Sequence, residues 1–402
     1  MHGSPTANAY ITEINIPALS NTLGNMQTSQ LLASVNIDDK LDTNEKGVNL
    51  NSVDIRAGQD GVVLWDLLAR DGKIYGSAYE EYDRTDGVNG VNTHSHYVIS
   101  TDNLSNVTDG NTIGLANVAQ GLSNHNLSQG ELNSLGIDGT DAGFVSGYMV
   151  DVPDMWRSKL GNFDTLGGHG GGSIISRTNS GPGAYLFNRA ELGNDNIVVE
   201  PVAHYNLTNP YHTSIAPPSA PGFPTEVEYV TALFNRSSVV EGAFFPPNRR
   251  SVVFVGLTAA VSEFSEEAEI FYGSSNGRCD PSIPNVPTDC FFGELYYDNS
   301  QIYQGEHSVN GNYQYQAWVY DIDDYEDVLN GSAGEGWTNI VPRNVFRFDF
   351  GGDFAGIAPS KRIGGVALDQ ETGRLFITQQ MGLSPDDASG SNIVHVYDLS
   401  NL

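Results

Sequence analysis

Glycine, proline and Asn-Gly pairs interrupt this chain so often that almost no stretch is long enough for three turns of an amphipathic helix. Between the interruptions lie short runs rich in β-branched and aromatic residues, each bounded by turn-forming residues. The runs cover residues 10–16, 61–68, 73–82, 96–100, 144–152, 173–177, 184–187, 196–205, 228–234, 251–257, 315–321, 344–350, 374–379 and 393–399. This pattern predicts an all-β fold, and the hydrophobic content of 39% is sufficient for a sizeable core.

The runs also recur in a fixed order. Near the C-terminus, the apolar run IGGVALD passes through the turn D-x-x-T-G-R into RLFITQ, and IVHVYDL follows after a loop. Three earlier parts of the chain repeat this order, the last of them more loosely: 240–256 with 315–331, 58–79 with 96–104, and 168–192. A glycine-rich innermost strand followed by outer strands in hairpins is typical of the blades of a β-propeller.

The motif IGGVALDQETGRLFITQ with IVHVYDL resembles a blade of the secreted bacterial β-propellers, whose layout is shared by propeller-fold polysaccharide lyases and related glycosidases. The likeness covers most of the chain as architecture, but its motifs form blades and carry little chemistry. We expect a single all-β propeller domain over residues 1–402, because no linker divides the chain. Counting strands predicts about five blades and the resemblance implies seven, so five to seven are expected. A β-sandwich or jelly roll is the alternative architecture.

Two further features of the predicted ring follow from its ends and its loops. An open ring would leave two sheet edges bare, so we expect Tyr10–Ile16 to pair with Ile393–Leu399 and close it. Residues 273–312 are predicted to form a long insertion, and long ordered insertions often bind ligands. Within it, Cys279 and Cys290 are expected to form a short surface disulfide, with two free thiols as the alternative.

The chain carries 49 acidic and 19 basic residues, a formal net charge of −30. Such a charge repels phosphate backbones and anionic membrane surfaces, so we expect no nucleic-acid partner. No apolar run is long enough to span a bilayer, and we expect no membrane insertion. The acidic, lysine-poor composition, the cysteine pair and the lack of a signal-peptide pattern predict a mature secreted protein, extracellular or periplasmic, from a marine or salt-tolerant bacterium.

In a propeller, the residue just before an innermost strand faces the mouth of the central channel. The repeated order assigns this position to Gln59, Asp60, His169, Glu241 and Arg362. A base, two carboxylates and a cation at one mouth suit proton abstraction with charge stabilisation, and His169, flanked by glycines, is the leading catalytic candidate. Arg177 offers a planar fork for a substrate carboxylate. Hydrogen bonds to neighbouring strands, or a surface ion pair for Arg177, are the alternatives.

Metal sites are suggested by two kinds of pattern. His94 and His96 occupy alternate positions of one strand and therefore share a face, which is a usable spacing for zinc. A third ligand would come from His125, His204 or His212, and the sequence does not choose among them. The acidic segments 38–47 and 321–327 are candidates for irregular calcium sites, although 38–47 fails the EF-hand template. Solvated acidic turns are the alternative, so no cofactor is assigned.

Aromatic residues make up 10% of the chain, and several tyrosines fall in predicted loops, namely Tyr296, Tyr297, Tyr303, Tyr313 and Tyr315. Exposed aromatic rings among amides and carboxylates form stacking platforms for sugars. We therefore expect a polysaccharide or oligosaccharide partner and, from the resemblance, a polysaccharide lyase acting on a uronic-acid polymer. The alternatives are a non-catalytic carbohydrate-binding or cell-surface structural propeller, and a glycosidase with paired carboxylates such as Asp60 and Glu241.

Overall fold

A computed structural model describes residues 10–20, 22, 25–36, 62–80, 96–107, 112–116, 147–170, 181–192, 197–205, 226–227, 234, 238–259, 269–272, 306–308, 313–331, 340–350, 363–379 and 392–400. Their strands are β1 (Tyr10–Ile14), β2 (Leu31–Asn36), β3 (Val62–Arg70), β4 (Lys73–Glu80), β5 (His96–Ile99), β6 (Thr112–Ala116), β7 (Tyr148–Asp151), β8 (Thr165–Gly168), β9 (Ala184–Phe187), β10 (Val199–Ala203), β11 (Glu226–Val227), β12 (Val239–Phe244), β13 (Ser251–Ala259), β14 (Glu269–Tyr272), β15 (Glu306–Ser308), β16 (Tyr313–Asp321), β17 (Asn344–Phe348), β18 (Ile363–Asp369), β19 (Arg374–Gln379) and β20 (Ile393–Asp398). Two short helices, α1 (Asp154–Arg157) and α2 (Ile322–Leu329), and the 3₁₀ turns Leu104–Asn106 and Arg189–Glu191 accompany them. The predicted all-β class is confirmed.

Four antiparallel sheets make up most of the described structure. They are sheet I (β3-β4-β5-β6), sheet II (β7-β8-β9-β10), sheet III (β12-β13-β16-β17) and sheet IV (β18-β19-β20). Strands β1 and β2 form a separate hairpin, and β11, β14 and β15 form a small sheet. Each of the four large sheets is a meander, in which every strand pairs with the sheet's next strand along the chain.

The first strands of the four sheets are successive neighbours, because β3 contacts β7, β7 contacts β12, and β12 contacts β18. Strands β3 and β7 run in the same direction. The backbone N–H of Met149 donates to the carboxyl of Asp66, and further along the same strands Arg70 pairs with Asp151. We call the end at which β3, β7, β12 and β18 begin the upper end, and the end at which they finish the lower end.

Glycines allow the close approach of these first strands. A Cβ placed on Gly242 of β12 would lie 2.7 Å from the Cβ of Val366 in β18, so only glycine lets the two strands come this near. Toward the lower end of the same pair, the side-chain amide of Gln370 donates to the carbonyl of Phe245 at 3.2 Å. Strands β12 and β18 therefore also run in the same direction.

Tight turns connect the strands at the lower end. Asp71 and Gly72 both have positive φ, 55° and 71°, which gives the β3–β4 hairpin the turn that matches strand twist. In the β18–β19 turn, the Asp369 carboxylate accepts hydrogen bonds from the backbone N–H of Glu371 and Thr372, and Gly373 has a φ of 69°. The predicted D-x-x-T-G-R turn is confirmed.

Sheet III is buried on both faces. One face, with Val252, Phe254 and Trp318, packs against sheet II and the inner side of α2. The other face, with Val253 and Val255, packs against sheet IV. This double burial explains why SVVFVGL is continuously apolar, whereas a half-exposed strand would alternate polar and apolar residues.

The predicted pairing of Tyr10–Ile16 with Ile393–Leu399 is wrong for the described strands. Strand β1 pairs with β2, with Tyr10 opposite Asn36, while β20 pairs with β19. Strands β1 and β2 are close in sequence, and closing a short hairpin costs less chain entropy than joining the two ends of a long chain.

The repeat at 168–192 also differs from its prediction. Its innermost strand was expected after His169, within 173–177, a segment that lies outside the described residues. The strand of sheet II that contacts both β3 and β12 is β7, and His169 directly follows the second strand, β8. The prediction took the glycines around His169 as the start of an innermost strand, but Gly168 and Gly170 serve close packing. A Cβ on Gly168 would lie 2.0 Å from the carbonyl oxygen of Gly183.

The long insertion interrupts sheet III. Strands β13 and β16 pair along their whole length, from Ser251 opposite Asp321 to Ala259 opposite Tyr313, although residues 260–312 separate them in sequence. Within that stretch the antiparallel pair β14–β15 is described, and the remainder of 273–312 lies outside the described residues. Because β13 ends and β16 begins at the upper end, the insertion leaves and rejoins the sheet there.

Candidate functional site

Of the predicted site residues, His96, His169, His204 and Glu241 lie at the upper end, while the acidic segment 321–327 lies at the lower end. The others lie outside the described residues: Gln59, Asp60, His94, His125, Arg177, His212, Arg362, the segment 38–47, and the cysteines Cys279 and Cys290. Their predicted roles stay predictions. The described residues nevertheless define one cluster of chemical interest, where the middle of β3 meets the upper end of β7 and β8.

A β-bulge in β3 creates this cluster. Leu64 pairs with Ala78 and Leu67 pairs with Gly76, so that Trp65 and Asp66 together face a single residue of β4. A bulge of this kind re-aims the side chains of the extra residues, and bulges are common beside active sites. Here the bulge directs the Asp66 carboxylate toward the first strand of sheet II.

The Asp66 carboxylate is held by two backbone groups. Its Oδ2 accepts the N–H of Met149 in β7 at 2.7 Å, and its Oδ1 accepts the N–H of Leu67 at 2.8 Å. Burial raises the pKa of Asp66 from 3.8 to about 7, and it outweighs these two hydrogen bonds, which act to lower the pKa. Asp66 is therefore a carboxyl that exchanges its proton near neutral pH while its residue stays partly exposed.

His169 lies against the other bulged residue. Its ring centroid is 5.2 Å from that of Trp65, with the planes inclined at 57°, and the residue is 2% exposed. The backbone on both sides joins neighbouring strands, since the His169 carbonyl accepts from Gly183 N–H and the Gly170 carbonyl accepts from Val240 N–H. The glycines that flank His169 allow this close backbone approach, and the burial of His169 favours a role in ordering Trp65.

The two other described histidines of the predicted set are also interior. His96, fully buried, packs edge-on against Phe187, and burial lowers its pKa to about 3. The Nδ1 of His204 is 2.8 Å from the hydroxyl of Tyr185. Within the described part of the chain, no group of three His, Cys, Asp or Glu residues is arranged to hold a metal ion. The burial of both rings matches packing positions.

Glu241 sits on a second bulge at the upper end. Val240 pairs with Gly256 and Gly242 pairs with Val255, which leaves Glu241 as the extra residue of β12. The residue is half-buried. Two first strands, β3 and β12, therefore each present a carboxyl residue from a bulge near the upper end, with β7 between them.

The acidic segment 321–327, a predicted calcium candidate, lies at the lower end and is occupied by cations of the protein itself. Arg250 forms a two-pronged pair with Asp321, both bonds at 3.0 Å, and Arg343 forms a similar pair with Asp324. Lys159 bonds Asp323 at 3.0 Å and also Glu326. Because guanidinium and ammonium groups take up these carboxylates, the segment is an ion-pair network.

A buried arginine marks the lower end between sheets I and II. Arg189 is 5% exposed, pairs with Asp151, and has Asp164 and Asp71 within 4 Å. Its guanidinium also lies 5.7 Å from the centre of the Tyr75 ring. Sequence reasoning did not single out this cluster, whose members come from four separate strands and turns.

The predicted aromatic platform is corrected where it is described. Tyr315 belongs to β16 and is 4% exposed, with its hydroxyl accepting from the Gln379 amide at 2.7 Å. Gln379 in turn bonds His395, whose ring stacks on Phe350 at 3.7 Å. Tyr313 is also in β16, and Tyr296, Tyr297 and Tyr303 lie outside the described residues. Burial between sheets III and IV makes Tyr315 part of the core.

Sequence reasoning missed Trp65 and Asp66. The signal available was the run VVLWDLL, in which a charged residue stands at the centre of a strand that is otherwise apolar. A regular strand does not explain a charged residue at this position, whereas a β-bulge, which re-aims the side chain, does.

Comparison of the chain with protein-family models, with curated proteins and with solved structures found no match. None of the helices in the described ranges has the length and apolarity that crossing a membrane requires. Any function assigned to the chain therefore depends on the geometry of the residues at the upper end.

Proposed function

We propose that the four meander sheets are blades of a secreted β-propeller with five to seven blades. Two observations support this. The first strands of sheets I to IV are consecutive neighbours, with β3 parallel to β7 and β12 parallel to β18, and sheet III packs one face on sheet II and the other on sheet IV. Radial packing of four-stranded meanders around a common axis has these two properties.

We propose further that the upper end acts on an extracellular polysaccharide, with Asp66 as the group that transfers the proton. The observation that carries this is the bulge in β3, which holds a partly exposed carboxyl with a pKa of about 7. A general acid or base is most effective when its pKa is close to the working pH. Trp65 beside it supplies an aromatic surface of the kind that sugar rings contact.

The reaction we propose is elimination across a uronic-acid linkage. The Asp66 carboxylate takes the proton on the carbon next to the uronate carboxyl. The electron pair of that C–H bond forms a carbon–carbon double bond, and the glycosidic C–O bond on the far carbon breaks. Its electrons leave with the oxygen, which then takes up a proton. A cation must stabilise the charge that develops on the uronate, and Arg177 and Arg362 are the proposed sources.

A glycosidase is the second candidate, and Glu241 is the observation that favours it. Hydrolysis of a glycosidic bond uses two carboxyl groups, one protonated acid and one carboxylate. Asp66, with its raised pKa, suits the acid, and Glu241 on the bulge of β12 suits the carboxylate. This reaction needs no cation for the substrate, which agrees with the net charge of −30.

Product analysis separates these candidates. The full chain is incubated with a panel of uronic-acid and neutral polysaccharides, and both ultraviolet absorbance and new reducing ends are followed. A lyase generates both signals, its rate rising with pH through about 7 as Asp66 ionises. A glycosidase generates reducing ends alone, its rate falling above that pH. A non-catalytic binding propeller generates neither signal, and that result would refute both reactions.

The role of Asp66 is tested by Asp66→Asn, which we expect to lower turnover by about 10²-fold or more, since that is the typical contribution of a positioned acid or base. The matched control is Asp71→Asn in the turn at the other end of β3, where asparagine tolerates the positive φ equally well. Equal turnover in Asp66→Asn and Asp71→Asn would exclude Asp66 from the chemistry.

A further inference from the structure

Ser77 of β4 is the single residue that faces the bulge in β3. Its neighbours Gly76 and Ala78 pair with Leu67 and Leu64, so Trp65 and Asp66 both lie opposite Ser77. Ser77 is completely buried. A buried hydroxyl at this place has to find hydrogen-bond partners, because an unpaired one is costly.

The Ser77 hydroxyl makes two hydrogen bonds in opposite directions. Its Oγ accepts the backbone N–H of Asp66 at 3.1 Å, and it donates to the carbonyl of Gly147, directly before β7. The first bond satisfies an N–H that the bulge has removed from the β3–β4 ladder. The second bond ties β4 to the first strand of sheet II.

The Asp66 side chain makes a parallel connection two residues further along. Its Oδ2 accepts the N–H of Met149, while Ser77 bonds the carbonyl of Gly147. The backbone of Asp66 is thus fixed by Ser77, and its carboxylate is fixed by the strand that Ser77 also holds. The two hydrogen bonds of the Ser77 hydroxyl, to the Asp66 N–H and to the Gly147 carbonyl, therefore set the position of the Asp66 carboxylate relative to β7.

We propose that Ser77 is the positioning residue of Asp66, holding the β3 bulge against β7 so that the carboxyl is aimed at the N–H of Met149. This inference rests on the proposed function for its catalytic meaning, since it assigns a role to Ser77 in the same site. Its geometric content, the dependence of the Asp66 environment on one hydroxyl, is independent of any reaction.

Three other titratable groups border the site. His96 of β5 lies opposite Ser77, and burial lowers its pKa to about 3. Tyr97 of β5 approaches Asp66, and its pKa is raised by burial first and by the Asp66 charge second. His169 reaches the bulge through Trp65. Burial keeps the Tyr97 hydroxyl protonated at neutral pH, so a change in the Asp66 titration on removal of the Ser77 hydroxyl reports the bulge.

The experiment measures the titration of Asp66 in the full chain by NMR of ¹³C-labelled aspartate, with Asp66→Asn identifying the signal. In Ser77→Ala we expect the pKa of Asp66 to fall by about one pH unit or more, because a released bulge lets water reach the carboxylate. Turnover should fall with an unchanged KM, and the pH–rate profile should move with the titration.

Thr378→Val is the matched control. The Thr378 hydroxyl donates to the Gly365 carbonyl at 3.1 Å beside the bulge in β18, so this variant removes a comparable hydroxyl from sheet IV. It should leave the Asp66 titration unchanged. Ser77→Cys, whose thiol is slightly larger than the hydroxyl and a weak hydrogen-bonding group, replaces Ser77→Ala where the alanine variant fails to fold.

The outcomes separate the two proposals. An Asp66 titration that is the same in wild type and in the folded Ser77 variant would overturn the positioning role. A shifted titration without turnover of any polysaccharide by the wild type would support the positioning role and refute the proposed reaction. A shift in Thr378→Val equal to that in the Ser77 variant would also overturn the inference, because general loosening would then explain it.

Discussion

The two ends of the sheets solve the problem of buried charge in opposite ways. At the lower end, Arg189 and its aspartates compensate one another, and tight turns such as Asp71-Gly72 leave little chain between strands. At the upper end, the Asp66 carboxylate is held by two backbone N–H groups while burial raises its pKa, and burial also keeps His96 neutral. A buried charge whose partner is removed destabilises a fold strongly, whereas a carboxyl with a pKa raised by burial costs stability at neutral pH and can exchange a proton.

The largest expected effect comes from removing the compensation at the lower end. Arg189→Met leaves the buried side of Asp151 without its partner, and we expect a loss of about 3 to 5 kcal/mol in unfolding free energy. Chemical denaturation measures it. Arg70→Met is the control, because Arg70 contacts the same Asp151 but its side chain is 53% exposed. A loss below about 1 kcal/mol is expected there. Equal losses would remove the distinction between buried and exposed pairs at this end.

A smaller effect is expected at the upper end as a function of pH. The folded pKa of Asp66, about 7, exceeds the ordinary value of 3.8, so the folded state binds this proton more tightly than the unfolded chain does. The resulting stabilisation is complete below pH 4 and disappears as the pH rises through 7. Asp66→Asn should therefore gain roughly 2 to 4 kcal/mol relative to wild type between pH 4 and pH 8.

Urea denaturation of both proteins at several pH values tests this. The difference between the two proteins isolates Asp66. His96 contributes in the opposite direction, because its folded pKa is about 3 and the protein loses stability as the pH falls from 6.5 toward 3, but this contribution is the same in both proteins. Parallel stability curves for wild type and Asp66→Asn would show that the carboxyl keeps an ordinary pKa.

The smallest effect is expected for the exposed pairs around α2. Arg343 pairs with Asp324 through two bonds, but its side chain is 62% exposed. Arg343→Ala should lower the Tm by no more than about 2 °C, and high salt should remove even this difference. Thermal unfolding at low and at high salt is the measurement. A large, salt-independent loss would place this network with the buried cluster of Arg189.

The sequence was most informative where local chemistry determines structure. The β18–β19 turn was predictable because Asp369, Thr372 and Gly373 form it with their own side chains and backbone angles. Sheet II was harder, because the glycines around His169 serve contacts with distant strands, which no local pattern encodes. The pairing of β1 failed for a related reason, since it required a choice between a near partner and a far one.

The candidate site was predictable only in part. The repeated order identified the upper end as the place to search, and Glu241 and His169 do lie there. Asp66 escaped notice because its significance comes from a bulge and from Met149, which is remote in sequence. Its titration depends on burial among several strands, so three-dimensional packing had to be known first.

The unbroken pairing of β13 with β16 has a consequence for how this chain can vary. Nine residues of each strand hold the two ends of the intervening segment side by side, whatever that segment contains. Doubling the length of a flexible loop between fixed ends costs only about 0.6 kcal/mol. Residues 260–312 are thus a position where evolution, or a protein engineer, can exchange one inserted segment for another without redesigning the scaffold.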